Sequence, residues 1–171
     1  MAWLTLYKFD PTDIDERFVG YSNPAWVSLS TRWRDEFGED QELGNIEMAA
    51  YVIAICTPFT VRYPNDHSPI VYIGEGMAHR RFDEHLREKL LPMLATKLPA
   101  KFDFWVLPCM GKRTVQATEA AMLRSFYDTY GSKPLFNRQA GKTVDDPPHR
   151  DWFAPLDQRR RGKRHWKIEP T

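Results

Sequence analysis

Two short apolar runs rich in β-branched residues, AAYVIAIC at 49–56 and IVYIG at 70–74, most restrict what this chain can build. Both are too short for a core-spanning helix, and the connection between them contains Pro58 and the turn-forming stretch RYPNDHSP. Two such runs around a loop of about a dozen residues predict an antiparallel hairpin with an extended connection. Residues 78–91, AHRRFDEHLREKLL, place Phe82, Leu86 and Leu90 at intervals of four, which predicts a helix ending near Pro92. KFDFWVLP at 101–108 alternates Phe102, Phe104 and Val106 with Lys101, Asp103 and Trp105, the pattern of a third strand. A second helix is expected over 115–130, with Val115, Met122, Leu123, Phe126 and Tyr130 as its apolar stripe and Gly131 as a left-handed cap. The order β-β-α-β-α occurs once. The expected fold is α/β in the broad sense (α+β), a small three-stranded antiparallel sheet flanked by helices.

The flanks differ from this central unit in charge. Residues 1–48 carry four Lys/Arg and ten Asp/Glu, a net of −6, and residues 49–171 carry twenty and thirteen, a net of +7. A basic body behind an acidic head suits a polyanionic partner better than the overall charge of +1 implies. The head is rich in aromatics. Its stretch SNPAWVSLSTRWRDEF predicts a helix capped by Ser22 or Asn23, with Pro24 at its first position and Trp26, Leu29, Trp33 and Phe37 on one stripe. The polar GEDQELGN at 38–45 marks a boundary, giving three expected units: a mostly helical extension at 1–48, a core at 49–140 and a basic tail at 141–171. The two cysteines, Cys56 and Cys109, sit far apart in apolar company and suggest neither a disulfide framework nor a zinc ribbon. The first residues lack a basic region followed by an apolar core, and no apolar run reaches ~18 residues, so a cytoplasmic protein without a membrane partner is expected.

Several residues are poor choices for packing alone. Arg81 and His85 lie four apart near the start of the first expected helix, where unpaired N–H groups and the positive dipole end favour an anion. Glu119 falls on the apolar stripe of the second helix, and a carboxylate there is costly unless paired with a cation, an arginine or a metal. Tyr51 and Tyr72 sit mid-strand, where a tyrosine ordinarily packs with its hydroxyl at the rim.

Taken in order, AAYVI, VYIG, Arg81, His85, Glu119 and Asn137 resemble the signature of the GIY-YIG nuclease family over residues 49–137. Ala49-Ala50-Tyr51 stands where that family has G-I-Y, and Tyr72-Ile73-Gly74 where it has Y-I-G. Arg81 and His85 keep the R-x-x-x-H spacing, Glu119 is the lone acid in the expected helix, and Asn137 closes KPLFN. The chain departs from the pattern in its two alanines, in a longer hairpin loop, and in eight residues between Tyr72 and Arg81, about one fewer than common members have. That shortening makes Arg80 a competitor, and the spacing to His85 favours Arg81.

The resemblance implies a divalent-metal-dependent endonuclease acting on DNA, with RNA as a second candidate. Glu119 would hold Mg²⁺ or Mn²⁺, Arg81 would clamp the scissile phosphate, and Asn137 would tie the site together by hydrogen bonds. Tyr51, Tyr72 and His85 share the water-orienting and proton-moving work. A tyrosinate base at Tyr51 would require its pKa of ~10 to be lowered by the neighbouring cation. Gly74 and Gly76 are expected to turn the backbone without side chains blocking the substrate. Arg80, Arg87 and the tail cations Arg159, Arg160, Arg161, Lys163, Arg164 and Lys167 are the candidates for sequence-independent phosphate contacts. Homodimerisation is open at this stage. So is a second reading, in which the altered first motif marks an inactive nucleic-acid-binding or interaction module.

Overall fold

The inner strand of the sheet explains the unbroken apolar run at 49–55. The computed structural model describes residues 4–9, 46–55, 59–85, 88, 102–139 and 166–168. Strand β1 is Leu4–Phe9, β2 Ala49–Ile55, β3 Phe59–Arg62, β4 His67–Ser68, β5 Ile70–Gly76, β6 Phe102–Pro108 and β7 Trp166–Ile168; helix α1 is Ala78–His85 and α2 Lys112–Tyr130. The main sheet has the order β1-β6-β2-β5 with every neighbour antiparallel. All seven residues of β2 are buried, because it is paired on both sides and covered on both faces. β6 keeps the predicted alternation: Phe102, Phe104 and Val106 are buried, while Asp103 and Trp105 are partly exposed.

The described residues thus form an α+β fold around an antiparallel sheet, with two differences from expectation. The sheet has four strands rather than three, since Leu4–Phe9 pairs with β6 across a register shift between Thr5 and Tyr7. This stretch was expected within a mostly helical extension; the helix expected at 22–37 lies outside the described residues. The hairpin connection is also more ordered in plan than a simple loop. β3 pairs antiparallel with β4 and parallel with β7, in a second sheet of order β4-β3-β7. The aromatic and β-branched FTV at 59–61 supplies the local preference for this.

α2 packs against β5 and β2, burying Val115, Met122, Leu123, Phe126 and Tyr130 as its spacing predicts. It ends at Gly131, which adopts φ 75° and donates its N–H to the Tyr127 carbonyl. α1 packs against β2. Tyr63 pins the connection to this core: its ring meets Phe126 edge-on at 5.0 Å, and its hydroxyl donates to the Ile70 carbonyl at 2.6 Å. Among the described residues no helix is long and apolar enough to cross a membrane.

Candidate active site

Register decides where the two tyrosines meet. Tyr51 of β2 is the direct partner of Gly74 in β5, and Tyr72 lies two residues earlier on β5 and hence on the same side. A Cβ at position 74 would stand 2.6 Å from the Tyr51 Cζ and hydroxyl oxygen and from Tyr72 Cε1. Gly74 therefore serves packing: the missing side chain is the space in which the two tyrosines lie, their ring centroids 6.0 Å apart. The backbone turn expected of both glycines is seen at Gly76, whose φ of 135° is a conformation that other residues rarely adopt.

That turn leads into α1, which carries two of the predicted residues, His85 buried and Arg81 exposed. His85, at its end, is 3 % exposed and shares a 2.7 Å hydrogen bond between Nε2 and the Tyr51 hydroxyl, with the donor set by the imidazole tautomer. Its ring lies 4.2 Å from that of Tyr72. Arg81 runs its stem over Gly76, where an added Cβ would meet Arg81 Cγ and Nε at 3.2 Å. Its positive charge acts on Tyr51, Tyr72 and Glu119 together. Arg80 does not join this group; it is the more exposed arginine and directs Nε to Glu84 at 3.1 Å.

Glu119 approaches from α2. It is partly buried, and the arginines of α1 pair with Glu84, so among the described residues no ion pair reaches Glu119. Burial, reinforced by the charge of Glu75 and opposed by Arg81, pushes its carboxyl up to about 7. Tyr51 is shifted in the direction opposite to that required of a tyrosinate base. Burial first and the neighbouring Tyr72 second hold its hydroxyl well above the ordinary value, and the attraction of Arg81 does not offset them. Tyr72 is likewise raised, by burial and then by Glu119. Both are neutral phenols at neutral pH, and the Tyr51 hydroxyl shares its hydrogen bond with His85 Nε2.

Asn137 works on the backbone. Among the described residues β5 is an edge strand, with no strand partner on one side. Asn137 Oδ1 accepts the Ile73 N–H at 3.0 Å, its Nδ2 donates to the Ile73 carbonyl at 2.7 Å, and Phe136 N–H donates to the Val71 carbonyl at 2.9 Å. Its carboxamide thereby acts as a one-residue strand that holds the peptide between Tyr72 and Gly74.

Tyr51, Tyr72, Arg81, His85 and Glu119 thus come together from β2, β5, α1 and α2, with Asn137 bracing β5. Arg87, Arg159, Arg160, Arg161, Lys163 and Arg164 lie outside the described residues, and Lys167 takes the register position opposite Thr60. Sequence reasoning passed over Glu84, although its i,i+3 spacing from Arg81 was a local signal. No family model matches the chain, and no curated protein or solved structure matches it either.

Proposed function

We propose that this chain is a divalent-metal-dependent DNA endonuclease of the GIY-YIG type that hydrolyses phosphodiester bonds. One observation carries the reading: Tyr51 and His85, 34 positions apart in sequence, share a buried 2.7 Å hydrogen bond beside Tyr72, within the electrostatic reach of Arg81 and Glu119. A core tyrosine needs neither a buried imidazole nor, nearby, a half-buried carboxylate that no ion pair reaches among the described residues.

The donor set suits a hard, largely hydrated ion. Glu119 and Glu75 raise the local negative charge, and because among the described residues no group of three or more His, Cys, Asp and Glu could hold a metal ion, an ion here would rest on one or two carboxylates. Mg²⁺ or Mn²⁺ takes one or two protein carboxylates and fills its shell with water and phosphate oxygens, which these residues allow. When bound at Glu119 it would neutralise phosphoryl charge and acidify water. The remaining work falls to the chain's own groups. Arg81 offers a guanidinium to the phosphoryl oxygens, where two parallel N–H donors can bind at once. The Tyr51 hydroxyl orients the attacking water; as it takes that water's proton it passes its own to a neutral His85 Nε2, so no buried phenolate forms. Tyr72 packs against the imidazole and sets its position.

The test is cleavage of supercoiled DNA in Mg²⁺, with linear, branched and single-stranded DNA and RNA alongside. Glu119→Ala should lower the rate by about 10²- to 10³-fold or more while leaving the circular dichroism spectrum unchanged. Equal cleavage by the variant would overturn the assignment. Salt-sensitive binding without cleavage under any divalent ion would instead mark a binding module.

A further inference from the structure

Glu84 lies next to His85 in sequence, and nothing in the proposed chemistry uses it. Its two carboxylate oxygens are divided between two arginines: Oε1 accepts from Arg80 Nε at 3.1 Å and Oε2 from Arg81 Nη1 at 2.6 Å. Exposed ion pairs on a helix usually contribute little, and the Arg80 pair, with that side chain 71 % exposed, is of this kind. The Arg81 pair differs in two respects. It is shorter, and the stem of Arg81, a side chain 47 % exposed, is confined above Gly76. The guanidinium is therefore held at both ends, by the glycine surface at its stem and by Glu84 at one of its five N–H donors. Among the described residues its other four donors are not engaged, which leaves them for a phosphate.

We infer that Glu84 is a positioning residue for phosphodiester cleavage: it orients the Arg81 guanidinium toward the scissile phosphate at the cost of placing a negative charge close to a polyanionic substrate. This rests on the nuclease reading above. Burial works against the Glu84 carboxylate, but the hydrogen bonds from Arg81 and Arg80 outweigh it and keep the group ionised. The negative charge is thus present whenever substrate approaches. Binding and turnover should consequently respond to its removal with opposite sign, because the charge repels the DNA backbone while its hydrogen bond aligns the arginine.

The test compares Glu84→Gln, Glu84→Ala and Glu84→Asp with the unaltered chain, measuring single-turnover cleavage in Mg²⁺ and DNA affinity in Ca²⁺ at several salt concentrations. Glu84→Ala should bind DNA about as tightly as the unaltered chain or a few-fold tighter at low salt, and cleave roughly 10- to 100-fold more slowly. Glu84→Gln, which keeps an acceptor for Arg81, should recover part of that rate and retain the tighter binding. Glu84→Asp, ionised but too short to reach both arginines, should cleave slowly without the gain in affinity. Unchanged cleavage in all three variants, or affinity and rate falling together as in a folding defect, would overturn the inference. Failure of the nuclease reading has a different signature: the unaltered chain then cleaves no nucleic acid at all, and the role of Glu84 falls with it.

Discussion

At position 74 the side chain is a single hydrogen, and the space a methyl would take is filled by Tyr51 and Tyr72. Alanine in place of a strand glycine ordinarily stabilises, by roughly 0.5–1 kcal/mol. Here the sign should reverse. The obstructing atoms belong to a ring that is 1 % exposed and tied to His85, so they cannot swing aside as the tip of a flexible side chain would. Gly74→Ala is expected to cost about 1–3 kcal/mol through overpacking and to displace the Tyr51 hydroxyl from His85. A urea midpoint lowered relative to the unaltered chain, together with reduced cleavage, would bear this out; a midpoint equal or higher would count against the geometry. The same residues mark what sequence reading can reach. The R-x-x-x-H spacing of Arg81 and His85 is a local property of a helix and was legible. Whether Arg81 would meet Glu119 or Glu84 was not, because both pairings satisfy the sequence and only the packing of α1 over Gly76 selects between them.

Elements reach the site through backbone pairing more than through side-chain affinity. β5 carries Tyr72 on a strand that is at the edge of the sheet among the described residues, and the segment after α2 bonds to its outer side. Asn137 satisfies both backbone groups of Ile73, 64 positions earlier in the chain. Replacing it by alanine removes a donor and an acceptor from a partly buried peptide, a loss of about 1–3 kcal/mol. Asn137→Ala should therefore lower stability by that amount and accelerate hydrogen exchange at the Ile73 amide, with a smaller effect on the Tyr51 amide in the inner strand. Uniform exchange rates across β5 before and after substitution would argue against the brace. Strands β2, β5 and β6 were legible from apolar content and alternation. β1 was not: LTLYKF is six residues long, and what makes it a strand is β6, almost a hundred positions away.

On the scale of the whole molecule, Glu119 couples the site to stability. A carboxyl whose folded-state pKa is raised from 4.5 to about 7 binds a proton in the folded chain that the unfolded chain releases. Stability attributable to this group is therefore complete below about pH 4.5, falls as pH rises, and is lost by about pH 7. Glu119→Gln, which fixes the uncharged form, should match the unaltered protein at pH 4 and exceed it at pH 8. The gain should be on the order of 1 kcal/mol once solvent screening of a partly exposed group is allowed for. Thermal melts in EDTA at the two pH values measure this, and a variant no more stable at pH 8 than the unaltered chain would refute it. On the proposal that Glu119 holds Mg²⁺, adding the ion should narrow the gap, because a cation bound by the carboxylate favours its charged form.

By itself the sequence determined what depends on neighbours a few residues apart: the strand-like runs, the helical stripe of α2, its glycine cap, and the order in which Tyr51, Tyr72, Arg81, His85, Glu119 and Asn137 occur. Only the tertiary structure decided that Tyr51 lies over Gly74 against His85, that Arg81 is held by Glu84, that Asn137 closes the edge of β5, and that burial raises the Tyr51 hydroxyl. The division has a physical cause. Propensity and periodicity act over one or two turns of chain, whereas burial, register and charge coupling sum over elements that meet only after the chain has folded.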